Sequence, residues 1–179
     1  QARGGRDRHR ACGIACIGIF RATRDTPAAR SLTLLSLEVQ KQIGELALDM
    51  SFQSDGRVTG LFGPSGAGKT TLVQIIAGLV RPDRGRVVLD GDVLFDSTRN
   101  LNVPAHRRHI GYVFQEGRLF PHLSVRKNLD YGRWMSGLSP DQAEFARVTA
   151  MLDIESLLDR RPGNLSGGER QRVAIGRAL

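Results

Sequence analysis

Residues 57–79 read RVTGLFGPSGAGKTTLVQIIAGL. RVTGLF (57–62) is an apolar run that predicts a buried strand. Leu72, Ile75, Ile76 and Leu79 recur at the spacing of one helix face. Between them, GPSGAGKT (63–70) matches the phosphate-loop pattern G-x-x-x-x-G-K-[ST]. Gly63, Gly66 and Gly68 permit backbone angles and a close approach that a Cβ would forbid. Together with Pro64, Ser65 and Ala67 they let successive N–H groups turn inward as an anion nest. A helix opening at Lys69 adds its positive dipole end. Lys69 is expected to reach the β- and γ-phosphates of a nucleotide. The Thr70 hydroxyl is expected to ligate Mg²⁺, a hard cation that favours oxygen. Thr71 is expected to add a hydrogen bond near the α-phosphate. A chance match in a chain of this length is on the order of 1%. The loop establishes phosphate binding but not the class of protein, because unrelated activities share it.

The flanking chain narrows the choice. Leu35, Leu37 and Val39 alternate, as do Leu46, Leu48, Met50 and Phe52, which predicts two antiparallel strands around Gly44. Arg81–Gly85 reads as a turn, RVVLDGDVLF (86–95) as a strand pair or a strand with a turn at Asp90-Gly91, and IGYVFQ (110–115) as a short strand. Beyond about residue 120 the pattern becomes helical. Ser124 is placed to cap a helix running to about Met135. Ser139, Pro140 and Gln142 suggest the start of another, with Phe145, Val148 and Leu152 on its apolar face. After Gly163-Asn164 a last helix begins near Gly168. Strands first and helices later give an α/β chain with an antiparallel β subdomain and a helical one.

LSGGERQR (165–172) places a serine and two glycines at the start of that last helix. This is a second anion-binding helix end. One phosphate loop already suffices for one nucleotide, so a second such end suggests a site completed by another copy of the chain.

At this point LSGGERQRVAIGRAL resembles the signature motif of ABC transporter ATPases and the helix that follows it. The resemblance covers residues 35–179. It implies a P-loop NTPase with a RecA-like core, an antiparallel β subdomain and a helical signature subdomain. It implies ATP and Mg²⁺ as ligands. In that family two copies pair head to tail, so Ser166, Gly167 and Gly168 would act in trans on the γ-phosphate held by the other copy. Glu169 stands where many relatives carry Gln. Gln115, in YVFQEGRLFPH, resembles the glutamine that contacts Mg²⁺ and the attacking water and faces the membrane subunit. With Lys69 and Ser166 it completes the set of residues expected to act in catalysis. The family places an aromatic residue against adenine near the end of the first strand, where this chain has Ile43.

RRHIGYVFQEGRLFPHLSVRKNLDYG (107–132) and LLDRRPGNLSGGERQRVAIGRAL (157–179) resemble the molybdate-import branch of the family. That implies permease subunits in the membrane as partners, a periplasmic oxyanion-binding protein as an indirect one, and a peripheral place on the cytoplasmic face of the bacterial inner membrane. Importers of sulfate, iron or polyamines have related loops. A remnant that only binds nucleotide is a further alternative. The family's second acidic motif, catalytic Glu and switch His are expected after Leu179, so the 179 residues by themselves are expected not to hydrolyse ATP at a meaningful rate.

Composition excludes several other classes. The formal charge is +8, but residues 1–30 hold seven Arg against two Asp, and the remainder is close to +3. A basic extension on a nearly balanced domain argues little for a polyanion, and no nucleic acid partner is expected. Residues 1–30 read as a disordered or non-native extension, 31–118 as the phosphate-loop core with its β subdomain, and 119–179 as the helical part. Cys12 and Cys16 lack further ligands and form no zinc site. His9, His106, His109 and His122 are dispersed, and none is assigned to catalysis.

Overall fold

The computed structural model describes residues 19–21, 35–54 and 58–179. The chain divides into two compact units between Arg108 and His109. The described residues of the first are 35–54 and 58–108, and those of the second are 19–21 and 109–179. Cys12, Cys16 and His9 lie outside the described residues.

The first unit is a five-stranded antiparallel sheet with one helix. β1 (Ile19–Arg21) belongs to the second unit. The sheet uses β2 (Leu35–Ile43), β3 (Leu46–Ser54), β4 (Arg84–Leu89), β5 (Asp92–Asp96) and β6 (Leu101–Asn102), in the order β3-β2-β4-β5-β6. The period-2 pattern sets the register. Leu37 faces Phe52 on one side and Val87 on the other, so alternate residues reach the same face. Leu37, Val39, Leu48, Val87 and Leu89 are buried, as are Leu72, Ile75 and Ile76 of the helix α1 (Lys69–Ala77). The turn at Asp90-Gly91 joins β4 to β5 as its sequence suggests, both residues having positive φ.

Arg108 closes this unit. Only 2% of it is exposed, and the acceptors it meets are neutral oxygens rather than carboxylates. Its guanidinium donates instead to the carbonyls of Ile75 and Ile76 at 2.8 Å, to the Val103 carbonyl at 2.7 Å and to Asn102 Oδ1 at 3.0 Å. The last carbonyls of a helix have no intrahelical donor and carry its negative dipole end, so a buried cation satisfies both needs. Burial lowers the Arg108 pKa, but the side chain remains a cation. A Cβ on Gly78 would lie 2.6 Å from Arg108 Nε, so the glycine that ends α1 also makes room for this contact.

The second unit holds α2 (Val125–Met135), α3 (Gln142–Met151) and α4 (Gly167–Ala178), with β7 (Ile110–Tyr112) paired antiparallel to β1. Val125, Ile154, Leu157, Leu165 and Val173 form its core, with Leu119, Leu129, Leu152 and Leu158 packed against it. A Cβ on Gly176 would meet Leu129 at 2.8 Å, which shows how closely α4 approaches α2. Asn128 is fully buried and satisfied. Its Oδ1 accepts from the Phe120 amide at 2.8 Å, and its Nδ2 lies within 3.3 Å of the Phe120, Leu123 and Ser124 carbonyls.

Four sequence expectations need correction. Residues 58–62 form no strand, and Val58 and Phe62 are 92% and 79% exposed. A buried strand needs neighbours to complete its ladder, and among the described residues none pairs with this segment. The strand predicted over 110–115 stops at Tyr112. The third helix is capped by Asp141, whose carboxylate accepts from the Glu144 amide at 3.0 Å. Ser139 instead offers its carbonyl to Arg133, which lies in the last turn of α2. Ile19–Arg21, placed by sequence in an unfolded extension, is a strand, and the other residues of 1–30 lie outside the described residues.

Replacing Arg108 by Met keeps the length of the side chain but takes a donor from four acceptors, of which the Ile75 carbonyl keeps the Gly78 amide. The expected loss is roughly 3 kcal/mol of unfolding free energy in urea titration.

Candidate functional site

The phosphate loop is shaped by backbone geometry. Gly66 and Gly68 have φ of 83° and 86°, in the left-handed region that other residues rarely adopt. A Cβ on Gly68 would also strike Leu48 Cδ1 at 2.6 Å, so the loop lies directly against β3. Lys69 Nζ donates to the carbonyls of Gly63 and Pro64, both at 2.7 Å, which folds the side chain back along the loop. Thr70 is exposed and Thr71 half-buried in the first turn of α1.

The N-terminus of α1 differs from those of the other α-helices described. Ser124, Asp141 and Ser166 each cap their helix through a side chain. α1 begins at Gly68 with no side-chain cap and no acidic residue in its first turn. The first amides of a helix lack intrahelical acceptors, so this end offers donors and a positive dipole to an anion. The donor set fits a polyphosphate: backbone amides, the Lys69 ammonium and two hydroxyls. The exposed Thr70 hydroxyl is an oxygen of the kind that hard cations favour.

The second unit assembles the other predicted residues. Ser166 and Glu169 form a reciprocal capping box. The Ser166 amide donates to Glu169 Oε2 at 2.6 Å, and the Glu169 amide donates to Ser166 Oγ at 3.3 Å. Hydrogen bonds donated by Ser166, first its backbone amide and then its side chain, hold the Glu169 carboxyl below its ordinary pKa, with Arg160 and Arg172 adding to the effect. Ser166 Oγ thus accepts from the Glu169 amide while its O–H serves the Glu169 carboxylate. Ser166, Gly167 and Gly168 are exposed. Gln115 is exposed in a turn closed by the Gly117 amide donating to the Phe114 carbonyl at 3.0 Å. A Cβ on Gly117 would lie 3.3 Å from the Arg170 carbonyl, so this turn packs against the first turn of α4. The structure therefore brings the Gln115 turn and the start of α4 together in one unit. The capping box was legible in Ser-x-x-Glu but went unread as such. The seat of Gly68 on Leu48 had no sequence signal.

A glycine-built phosphate cradle opening an uncapped helix, carried on an antiparallel sheet and accompanied by a helical unit, defines a P-loop nucleotide-binding fold. The chain belongs to the ABC transporter family, whose sequence profile matches residues 47–179. It is 63% identical over 145 residues to the molybdenum import ATP-binding protein ModC of Rhizobium meliloti (strain 1021), covering 81% of this chain and 41% of that protein. It is 52% identical over 145 residues to the ModC protein of Brucella abortus (strain 2308), covering 81% of this chain and 40% of that one. The chain thus spans about two fifths of the length of these curated relatives. Among solved structures it resembles MJ0796, a bacterial ABC transporter cassette described as dimeric, with TM-score 0.59 and 26% identity over 81% of this chain and 68% of that one. A second structure of that cassette, bound to ADP and Pi, gives TM-score 0.58 at 26% identity, with the same coverage.

The capping box has a pH signature. A lowered carboxylate pKa contributes stability that is complete above the ordinary glutamate range and is lost as pH falls through the depressed value. In an NMR titration, the Glu169 side chain should titrate below an ordinary glutamate. Ser166→Ala should move it only part of the way back, because the backbone donor remains.

Proposed function

We propose that this chain is the nucleotide-binding part of an ATPase that energises import of molybdate or a similar oxyanion. The observation that carries the reading is the uncapped, glycine-built end of α1 with Lys69 folded over it. The 63% identity to a molybdenum import protein supports the substrate class.

In this reading the Gly63–Thr71 loop, with Pro64, Ser65, Gly66, Ala67 and Gly68, cradles the phosphates of ATP. Lys69 moves its ammonium from the loop carbonyls to the terminal phosphate oxygens, exchanging neutral acceptors for charged ones. Thr70 would offer its hydroxyl to Mg²⁺, Gln115 is carried over from the family resemblance as a further contact to the ion, and the ion would neutralise phosphate charge. Ser166 turns its O–H from the Glu169 carboxylate to the terminal phosphate on a second copy, and Gly167 and Gly168 offer their amides to it. The dimeric description of MJ0796 supports that pairing. Closure of two copies around ATP and release after hydrolysis would drive permease subunits in the membrane, which receive the oxyanion from a periplasmic binding protein. No helix among the described residues is long and apolar enough to cross a membrane. The likeness to a molybdenum import protein supports a peripheral place on the cytoplasmic face of the inner membrane. The 179 residues by themselves supply the cradle and a hydroxyl for the metal, and are proposed to bind ATP without meaningful turnover.

Two measurements test this. Lys69→Ala should weaken ATP binding in calorimetry roughly a hundredfold, about 3 kcal/mol, because it removes a charged donor from the phosphates. In cells, the same substitution should abolish uptake of radiolabelled molybdate and leave sulfate uptake unchanged. Undiminished molybdate uptake contradicts the proposed substrate class, and unchanged ATP binding contradicts the cradle.

A further inference from the structure

The sheet of the first unit buries one face and leaves the other to solvent. Leu37 and Val39 are buried, so Glu38 and Gln40 between and beyond them point outward. The register sets Arg86 directly across from Glu38 and Arg84 across from Gln40, with Asp49 on the other side of Gln40. Charge on the outer face is therefore sorted by strand. β2 and β3 bring the acids Glu38 and Asp49, and β4 brings the bases Arg84 and Arg86. Arg99, in the loop after β5, adds a third base. These five residues line one cleft of about 520 Å³, within the range of small-molecule sites. Gly85, between the two arginines, lets β4 press against β2, because a Cβ there would collide with the Glu38 carbonyl.

The two walls do not close on each other. Glu38 and Arg86 face one another, yet no ion pair joins them, and neither Glu38 nor Arg84 has an ion pair among the described residues. Asp96 accounts for the gap. It is 5% exposed, and its Oδ1 accepts from the Thr98 hydroxyl at 2.7 Å and from the Thr98 and Arg99 amides at 2.9 and 3.3 Å. Its Oδ2 draws Arg86 and Arg99 toward β5, their Nε atoms lying 3.7 and 3.8 Å away. Those contacts are too long for hydrogen bonds, so both guanidiniums keep their donors. On the opposite wall Asp49 takes one hydrogen bond, from Gln40 Nε2 at 3.0 Å. Unspent donors thus face unspent acceptors across an open cleft.

We infer that this cleft is a binding site for a small zwitterion, a molecule carrying a carboxylate and an ammonium group separated by a few methylenes. The carboxylate meets the guanidiniums of Arg84, Arg86 and Arg99, planar forks that match its two oxygens. The ammonium meets Glu38 and Asp49. The walls stand one to two strand spacings apart, about 5 to 10 Å, which a short aliphatic chain spans. A simple anion leaves the acidic wall unpaired and is repelled by it, and an extended polyanion such as nucleic acid is turned away more strongly. The cleft shares no residue with the 63–71 loop, so its ligand is distinct from the proposed nucleotide.

The test is an NMR titration of the chain at low ionic strength, following the Nε–Hε signals of the three arginines. The probes are ε-aminocaproate, acetate and butylamine, the last two being the separate halves of the first. ε-Aminocaproate should shift the arginine signals with a dissociation constant in the millimolar range, and each half should bind at least about tenfold more weakly. Arg84→Gln and Glu38→Gln, both at exposed positions, should each weaken ε-aminocaproate about fivefold, with the amide spectrum confirming the fold. The Gly66 and Gly68 amides should stay unmoved throughout. Acetate binding as tightly as ε-aminocaproate would reduce the cleft to a plain anion site and overturn the inference. Binding indifferent to Glu38→Gln, or arginine signals unmoved by every probe, would overturn it equally.

Discussion

The end of α1 that carries no side-chain cap is the constraint on which the first unit depends. A helix nine residues long is too short to be stable by itself and must be held by its surroundings. It is held at both ends by groups outside it. Leu48 of β3 closes on Gly68 at one end, and Arg108 satisfies the Ile75 and Ile76 carbonyls at the other. The negative end is thus neutralised internally while the positive end stays open. That asymmetry turns an ordinary amphipathic helix into a receptor for anions.

The second unit solves the opposite problem. Its helices carry their own caps at Ser124, Asp141 and Ser166. Asn128 then fixes the Phe120–Ser124 segment to α2 by four hydrogen bonds. The result is a firm support for the exposed Gln115 turn and for Ser166.

Much of this was legible because it is local. The hairpin at Gly44, the Asp90-Gly91 turn, the Ser124 cap and the opening of α4 follow from a few neighbouring residues. The phosphate loop is legible for the same reason, since glycine spacing and the following lysine determine the backbone directly. The strand expected over 57–62 failed because an apolar run reports burial and not pairing, and ladder partners are non-local. Ser139 lost its cap to Asp141 two residues on, a shift within the ordinary uncertainty of helix ends. Arg108 and Asn128 could not be found by pattern at all. Their roles depend on where a helix ends in space and which carbonyls are left without donors there.

The central claim is that the open end of α1 is the nucleotide's phosphate site. Its most direct test is a ¹H–¹⁵N NMR titration of the chain with MgATP. The account predicts that the amides of Gly66, Gly68, Lys69 and Thr70 shift first and most, as expected of donors meeting phosphate oxygens. Shifts concentrated elsewhere, with these amides unmoved at saturation, would contradict it.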